Sequence, residues 1–251
     1  MIDNTQRFNK KVTNYIKYRP NYSPEMITTL INQIGLNSKS VVADIGAGTG
    51  IFTRQLADYV GSVYAVEPNI PMFEALEVLS KSNLNIVFIN APAESTTLPD
   101  NSVDCICVAQ AFHWFDKDKT KREFKRILRK SGKVILIWNW PVINNIVIEY
   151  DKLLTKYCPE FKGYNDDSKS FDKDYSGFFS NGYSHYEFEN YQKLVKESFI
   201  GECLSSSYAP NSKDKYYHQL ITDLNTFFEK YSKNEELLFP LKSHCFIGSV
   251  D

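Results

Sequence analysis

Three glycines at alternate positions, Gly46, Gly48 and Gly50, follow the apolar run VVADI, and an acid, Asp44, stands two residues before the first of them. Glycines after a strand let the backbone approach a ligand closely. The GxGxG spacing puts Ile51 where a dinucleotide fingerprint needs its third glycine, and the Asp44 carboxylate would repel a pyrophosphate. No Gly-Lys-Ser/Thr follows, which removes a P-loop. A ligand with a cationic end suits the turn better than a phosphate. Further on, Glu67 closes the next apolar run, SVYAVE. A carboxylate at the carboxyl end of a second strand can accept hydrogen bonds from both ribose hydroxyls. Together the two acids describe a nucleoside without phosphate that carries an amino-acid tail, which is the chemistry of S-adenosylmethionine (SAM).

The elements that must position these residues alternate between short apolar runs and stretches of helical period, the signature of a parallel sheet covered by helices. Strands are predicted at 40–45, 62–67, 85–90, 102–110 and 132–140. Helices are predicted between them, the last one, KTKREFKRILRKSG, ending at Gly132. Beyond residue 140 the rhythm weakens. NNIVIEYDKLLTKY and DKYYHQLITDLNTFFEKYS read as helices, HYEFENYQKLV and LKSHCFIGSV as strands, and 160–190 has no clear period.

With 251 residues, 43% of them hydrophobic, the chain can bury a full core as one domain. A net charge of -1 argues against a partner bound through its phosphates, so no nucleic acid is expected. The interleaved acids of KDKTKREFKRILRK make that run a solvated helix face. The N-terminal residues lack a secretory apolar stretch and no apolar run is long enough for a bilayer, so a soluble cytoplasmic protein without a membrane partner is expected. Five scattered cysteines form no CxxC pair and show no metal-ligand spacing with the four histidines. Reduced buried thiols and no metal are the expectation.

Taken in order, DIGAGTG, AVEP and APAESTTLPDNSVDCICVAQAFHWF make the chain resemble the class I SAM-dependent methyltransferases. YIKYRPNYSPEMI, AQAFHWF and SSSYAP resemble the small-molecule group around the trans-aconitate methyltransferases. The resemblance implies an α/β fold: a doubly wound, seven-stranded, mostly parallel Rossmann-like sheet with an antiparallel last strand and a helical cap. It divides the chain into an N-terminal lid (1–34), a SAM-binding core (35–140), a cap insertion (141–183) and a C-terminal part completing the sheet (184–251).

Residue by residue, the resemblance implies that Gly46, Ala47, Gly48, Thr49 and Gly50 form the turn against the methionine part of SAM, with Asp44 orienting loop and amino group. Glu67 would hold the ribose, Pro68 and Met72 would line the adenine, and Ala93 and Glu94 would meet its edge. Gln110, Ala111, Phe112 and His113 would sit where the fourth strand opens onto the methyl group, and Tyr15, Tyr18 and Arg19 would close over cofactor and acceptor. Gln110, His113 and Arg19 are thus the candidates for positioning the acceptor. Trp114 is expected in the core, and only one of Trp138 and Trp140 is expected to face the pocket. The implied activity is methyl transfer to a small molecule, with a carboxylate oxygen as one acceptor. The alternatives are a SAM-binding protein without catalysis and a nicotinamide-dependent oxidoreductase of similar fold.

Overall fold

The computed structural model describes residues 18–164 and 175–250. Helix α1 (Pro24–Ile34) starts on Ser23, whose hydroxyl caps the Met26 amide, and stops at Gly35, whose φ of 75° an L side chain resists. Met26, Ile27, Leu30 and Ile31, spaced for one helix face, are buried. They join the core beneath β1 (Val41–Ile45), α2 (Ile51–Ala57) and β2 (Ser62–Val66). Of the expected lid, residues 24–34 are therefore a helix of the main core, and residues 1–17 lie outside the described residues.

The next elements are α3 (Ile70–Ser80), capped by Asn69, β3 (Ile86–Ile89), β4 (Val103–Ala109), a 3₁₀ turn at Phe112–Trp114, and α4 (Lys117–Ile127). β5 (Leu128–Pro141), α5 (Asn145–Tyr157), β6 (Tyr183–Leu194), α6 (Lys196–Ser205), α7 (Tyr217–Tyr231) and β7 (Leu237–Gly248) follow. The strands form one seven-stranded sheet in the order β3-β2-β1-β4-β5-β7-β6. β1 to β5 run parallel, and β7 runs antiparallel to both of its neighbours. β4 is buried on both faces, which is why VDCICVA reads as an unbroken apolar run. The strand order reverses at β1 and β4, so a crevice opens beyond their carboxyl ends, where sheets of this kind bind ligands.

Two expectations change. The helix predicted to reach Gly132 ends at Ile127, because the amides of Asn101 and Ser102 take up the carbonyls of Arg126 and Ile127 and Leu128 turns out to pair with Val103. The cap is drawn from two stretches, not from 141–183 alone. Tyr150 of α5 meets Phe199 of α6, Phe227 of α7 and Phe239 of β7 at ring distances of 5.4 to 5.5 Å. These residues centre a third apolar cluster that runs from α5 to β7. α6 escaped the sequence reading because its apolar residues follow no clean helical stripe. No helix among the described residues is long and apolar enough to cross a membrane.

Candidate active site

The turn after β1 places its three glycines at φ values of 75°, 57° and 81°, all in the left-handed region. They serve different ends. A Cβ on Gly46 would lie 2.5 Å from the Ala111 side chain and 3.1 Å from the Phe115 ring, so this position brings two loops together. Gly48 has open space beside it and donates its amide to Glu67 Oε2 at 2.8 Å. Gly50 lets α2 pack close, since a Cβ there would collide with the Leu76 side chain.

Asp44 is fully buried beneath this turn. Its Oδ2 accepts from the Thr53 hydroxyl at 2.5 Å, while Oδ1 and the Thr49 hydroxyl have no hydrogen-bond partner. Burial pushes the Asp44 carboxyl up to about 7, the Thr53 bond opposes this, and the nearby Glu67 charge adds to it. A space of about 30 Å³ adjoins Asp44, Ala47 and Thr49. An orphaned buried acceptor beside such a space is what the ammonium of an amino-acid tail would satisfy.

Glu67, at the end of β2, is held by two backbone amides, Gly48 on Oε2 and Asn69 on Oε1 at 2.9 Å. Burial raises its carboxyl and the two amides pull it back. Each oxygen keeps a second lone pair for a ligand hydroxyl. The carboxylate lines a cavity of about 230 Å³ together with Pro68, Met72, Ala93, Glu94, Gln110 and Ala111. Glu94 also receives the Asp116 amide at 2.8 Å, so it ties this wall to the start of α4.

A second cavity of about 250 Å³ opens beside the first, and Gln110 and Trp114 line both. Gln110 holds this place by a left-handed φ of 59° and by two hydrogen bonds, its backbone N–H donating to the Ile137 carbonyl at 2.9 Å and its side-chain NH₂ to the Asn139 carbonyl at 3.0 Å. His113 stands on the rim with its ring 4.5 Å from that of Trp114. Trp114 is half-buried in the dividing wall, not in the core, because the 3₁₀ turn gives Phe112 the inward position. Trp138 and Trp140 share a face of β5, being two residues apart. Trp138 lies deep, stacked on Tyr175, and Trp140 lies nearer the strand end, in the second cavity.

Arg19 reaches that cavity, paired with Glu202 at 3.3 Å and donating to the Ser206 hydroxyl at 3.2 Å. Tyr18 borders neither cavity: its hydroxyl donates to Glu197 at 2.9 Å and its ring abuts Gly201. Tyr15 lies outside the described residues. Sequence reasoning assigned no role to Glu202, Tyr164 or Gln192 in the second cavity, and the only hint of Ser206 and Tyr208 was the run SSSYAP.

Residues 43–136, which carry the glycine turn, Asp44, Glu67 and Gln110, match the family of the methyltransferase domain. Over that stretch the chain is similar to a methyltransferase domain. An uncharacterized methyltransferase of Mycobacterium tuberculosis is 39% identical over 137 residues, 55% of this chain and 54% of that one. The chain spans about half the length of the curated relatives it matches first. The Saccharomyces cerevisiae protein CRG1, named as a candidate S-adenosylmethionine-dependent methyltransferase, is 26% identical over 212 residues, 81% of this chain and 68% of that one. The likeness in fold spans most of the chain. A candidate type II methyltransferase from Anaeromyxobacter dehalogenans superposes with a TM-score of 0.66 at 19% identity, covering 93% of this chain and 98% of its own.

Proposed function

We propose that this protein transfers a methyl group from SAM to a small molecule. The observation that carries the reading is the pair of cavities meeting at Gln110 and Trp114, with Glu67 lining the first and Asp44 lining the small space that shares Gly46 and Ala109 with it. In this reading Asp44 meets the ammonium of SAM, Glu67 its ribose hydroxyls, and Pro68, Met72 and Ala93 its adenine. The sulfonium supplies an already activated methyl group. The chain then has to align donor and acceptor and exclude water, which can remove about 7 to 11 kcal/mol of barrier. Gln110, clamped to β5 by two hydrogen bonds, is the rigid element between the cavities.

The acceptor would lie among Trp114, Trp140, Tyr164 and Tyr208, with His113 at the rim as the imidazole available to take a proton from a hydroxyl or amine. A carboxylate acceptor needs no base, but it would have to share Arg19 with Glu202. That competition makes Arg19 the discriminating residue. Labelled-methyl transfer to a panel of carboxylic acids and a panel of neutral phenols, by wild type and Arg19→Ala, tests the reading. Loss confined to the acids identifies an ester-forming enzyme, and equal loss on both panels removes Arg19 from acceptor choice. Transfer only to RNA or protein overturns the small-molecule reading. SAM binding without transfer to any acceptor points to a non-catalytic protein, and a thermal shift with NAD but not SAM overturns the proposal as a whole.

A further inference from the structure

On the sheet face away from α1, the antiparallel pair of β6 and β7 brings two side chains of β6 beside one of β7 that is far away in sequence. Glu187 stands opposite His244, and His185, two residues before Glu187, points to the same face. His185 Nε2 and His244 Nδ1 are 3.1 Å apart, and Glu187 Oε1 is 3.6 Å from the same His244 nitrogen. All three ligand-type atoms lie within 4.8 Å of one another, and this is the one such group among the described residues. A tetrahedral zinc ion with nitrogen and oxygen ligands at about 2.0 to 2.2 Å requires those ligands to be roughly 3.4 Å from each other. The two separations measured at His244 bracket that value.

The surroundings also suit ligation. The His185 ring lies flat on Phe246, with centroids 4.3 Å apart and planes 5° apart, which fixes the plane of its nitrogens. Lys242 holds Glu187 by Oε2 at 2.9 Å, leaving Oε1 turned toward His244. His244 is buried, whereas His185 and Glu187 are exposed, so the site is open to solvent at two of its three ligands. Two imidazoles and one carboxylate favour a borderline divalent transition ion over calcium or magnesium.

We propose that His185, Glu187 and His244 form a binding site for one divalent transition-metal ion, Zn²⁺ being the probe of choice, with water completing its coordination. Bound there, the ion joins edge strand β6 to β7 and stabilises the folded chain by mass action. The proposal is independent of the methyl-transfer reading.

The test uses the full-length, untagged protein freed of metal with a chelator. Calorimetry with Zn²⁺ should give one equivalent bound and a higher Tm, and Co²⁺ should show the visible bands of a four-coordinate N/O site. His185→Ala and Glu187→Gln, both at exposed positions, should each weaken Zn²⁺ binding by at least about tenfold while keeping the Tm of the metal-free wild type. His218→Ala, on α7, should bind as wild type does. Failure of the wild type to bind Zn²⁺, or equal binding by wild type and His185→Ala, would overturn the proposal and leave the histidines a hydrogen-bonded pair.

Discussion

Arg19 and Glu202 face each other at 3.3 Å in the wall of the second cavity, with side chains only 27% and 20% exposed. Burial raises the Glu202 carboxyl and the Arg19 charge draws it back down. Removing one partner of a shielded pair strands the other charge, a larger loss than the pair itself contributes. Arg19→Ala should therefore destabilise the protein by about 1 to 3 kcal/mol, scaled down from a fully buried pair. Arg19→Ala with Glu202→Gln should recover part of that loss. Urea denaturation of the two single variants and the double variant checks this, and strictly additive losses would show that the two side chains do not interact.

Asp44 predicts a pH dependence of known sign. Its folded carboxyl titrates at about 7 against 3.8 for an ordinary aspartate, so the folded chain holds a proton that the unfolded chain has lost. The stabilising contribution is complete below pH 3.8, and it is lost as pH rises toward 7. Across that interval the loss grows with each pH unit. Asp44→Asn should accordingly gain in Tm relative to wild type as pH rises from 4 to 7, and hold that gain above 7. Thermal melts of the ligand-free proteins across this range measure it.

If Asp44 meets the ammonium of SAM, binding must drive its proton off near neutral pH. Calorimetry in buffers of different ionisation enthalpy should then register proton release by wild type and none by Asp44→Asn. Equal proton release by both proteins would place the linked group elsewhere.

Glu67→Gln should weaken binding of S-adenosylhomocysteine by roughly 1.5 to 3 kcal/mol, the value of a charge-assisted hydrogen bond. The substitution also sets an amide NH₂ against the Gly48 or Asn69 N–H, so the side chain at 67 loses one of its two backbone anchors. An unchanged dissociation constant by calorimetry would mean that the ribose does not lie on Glu67.

Gly201→Ala would drive a Cβ into the Tyr18 ring. That crowding should displace Tyr18, shift Arg19 beside it, and cost about 1 to 3 kcal/mol, as overpacking does. A Tm lowered by several degrees, together with faster proteolysis ahead of α1, is expected. A Tm equal to that of wild type would show that Tyr18 does not dock on α6 in solution.

The strands and helices up to β5 were legible because their signals are local: apolar runs, capping residues and glycine turns each act within a few neighbours. The position of Glu67 beside Gly48 follows from the same logic, since parallel neighbours β1 and β2 end together. The end of α4 was not legible, because it is decided by hydrogen bonds from the loop before β4 and by the onset of β4–β5 pairing. Trp114 misled for a related reason. An apolar cluster after a strand does not reveal which of its rings the following turn directs inward, and here the place went to Phe112.

By itself the sequence determined the βαβ order, the turn with its three left-handed glycines, and the two acids at the ends of β1 and β2, since these depend on period and on backbone φ alone. The tertiary structure decided that Glu202 answers Arg19, that α5, α6 and α7 share one cap, and that His185 and Glu187 stand beside His244. Each of those contacts joins segments far apart in the chain. Between β6 and β7 the register settles the outcome, because a slip of one residue would turn His185 and Glu187 to the opposite face of the sheet.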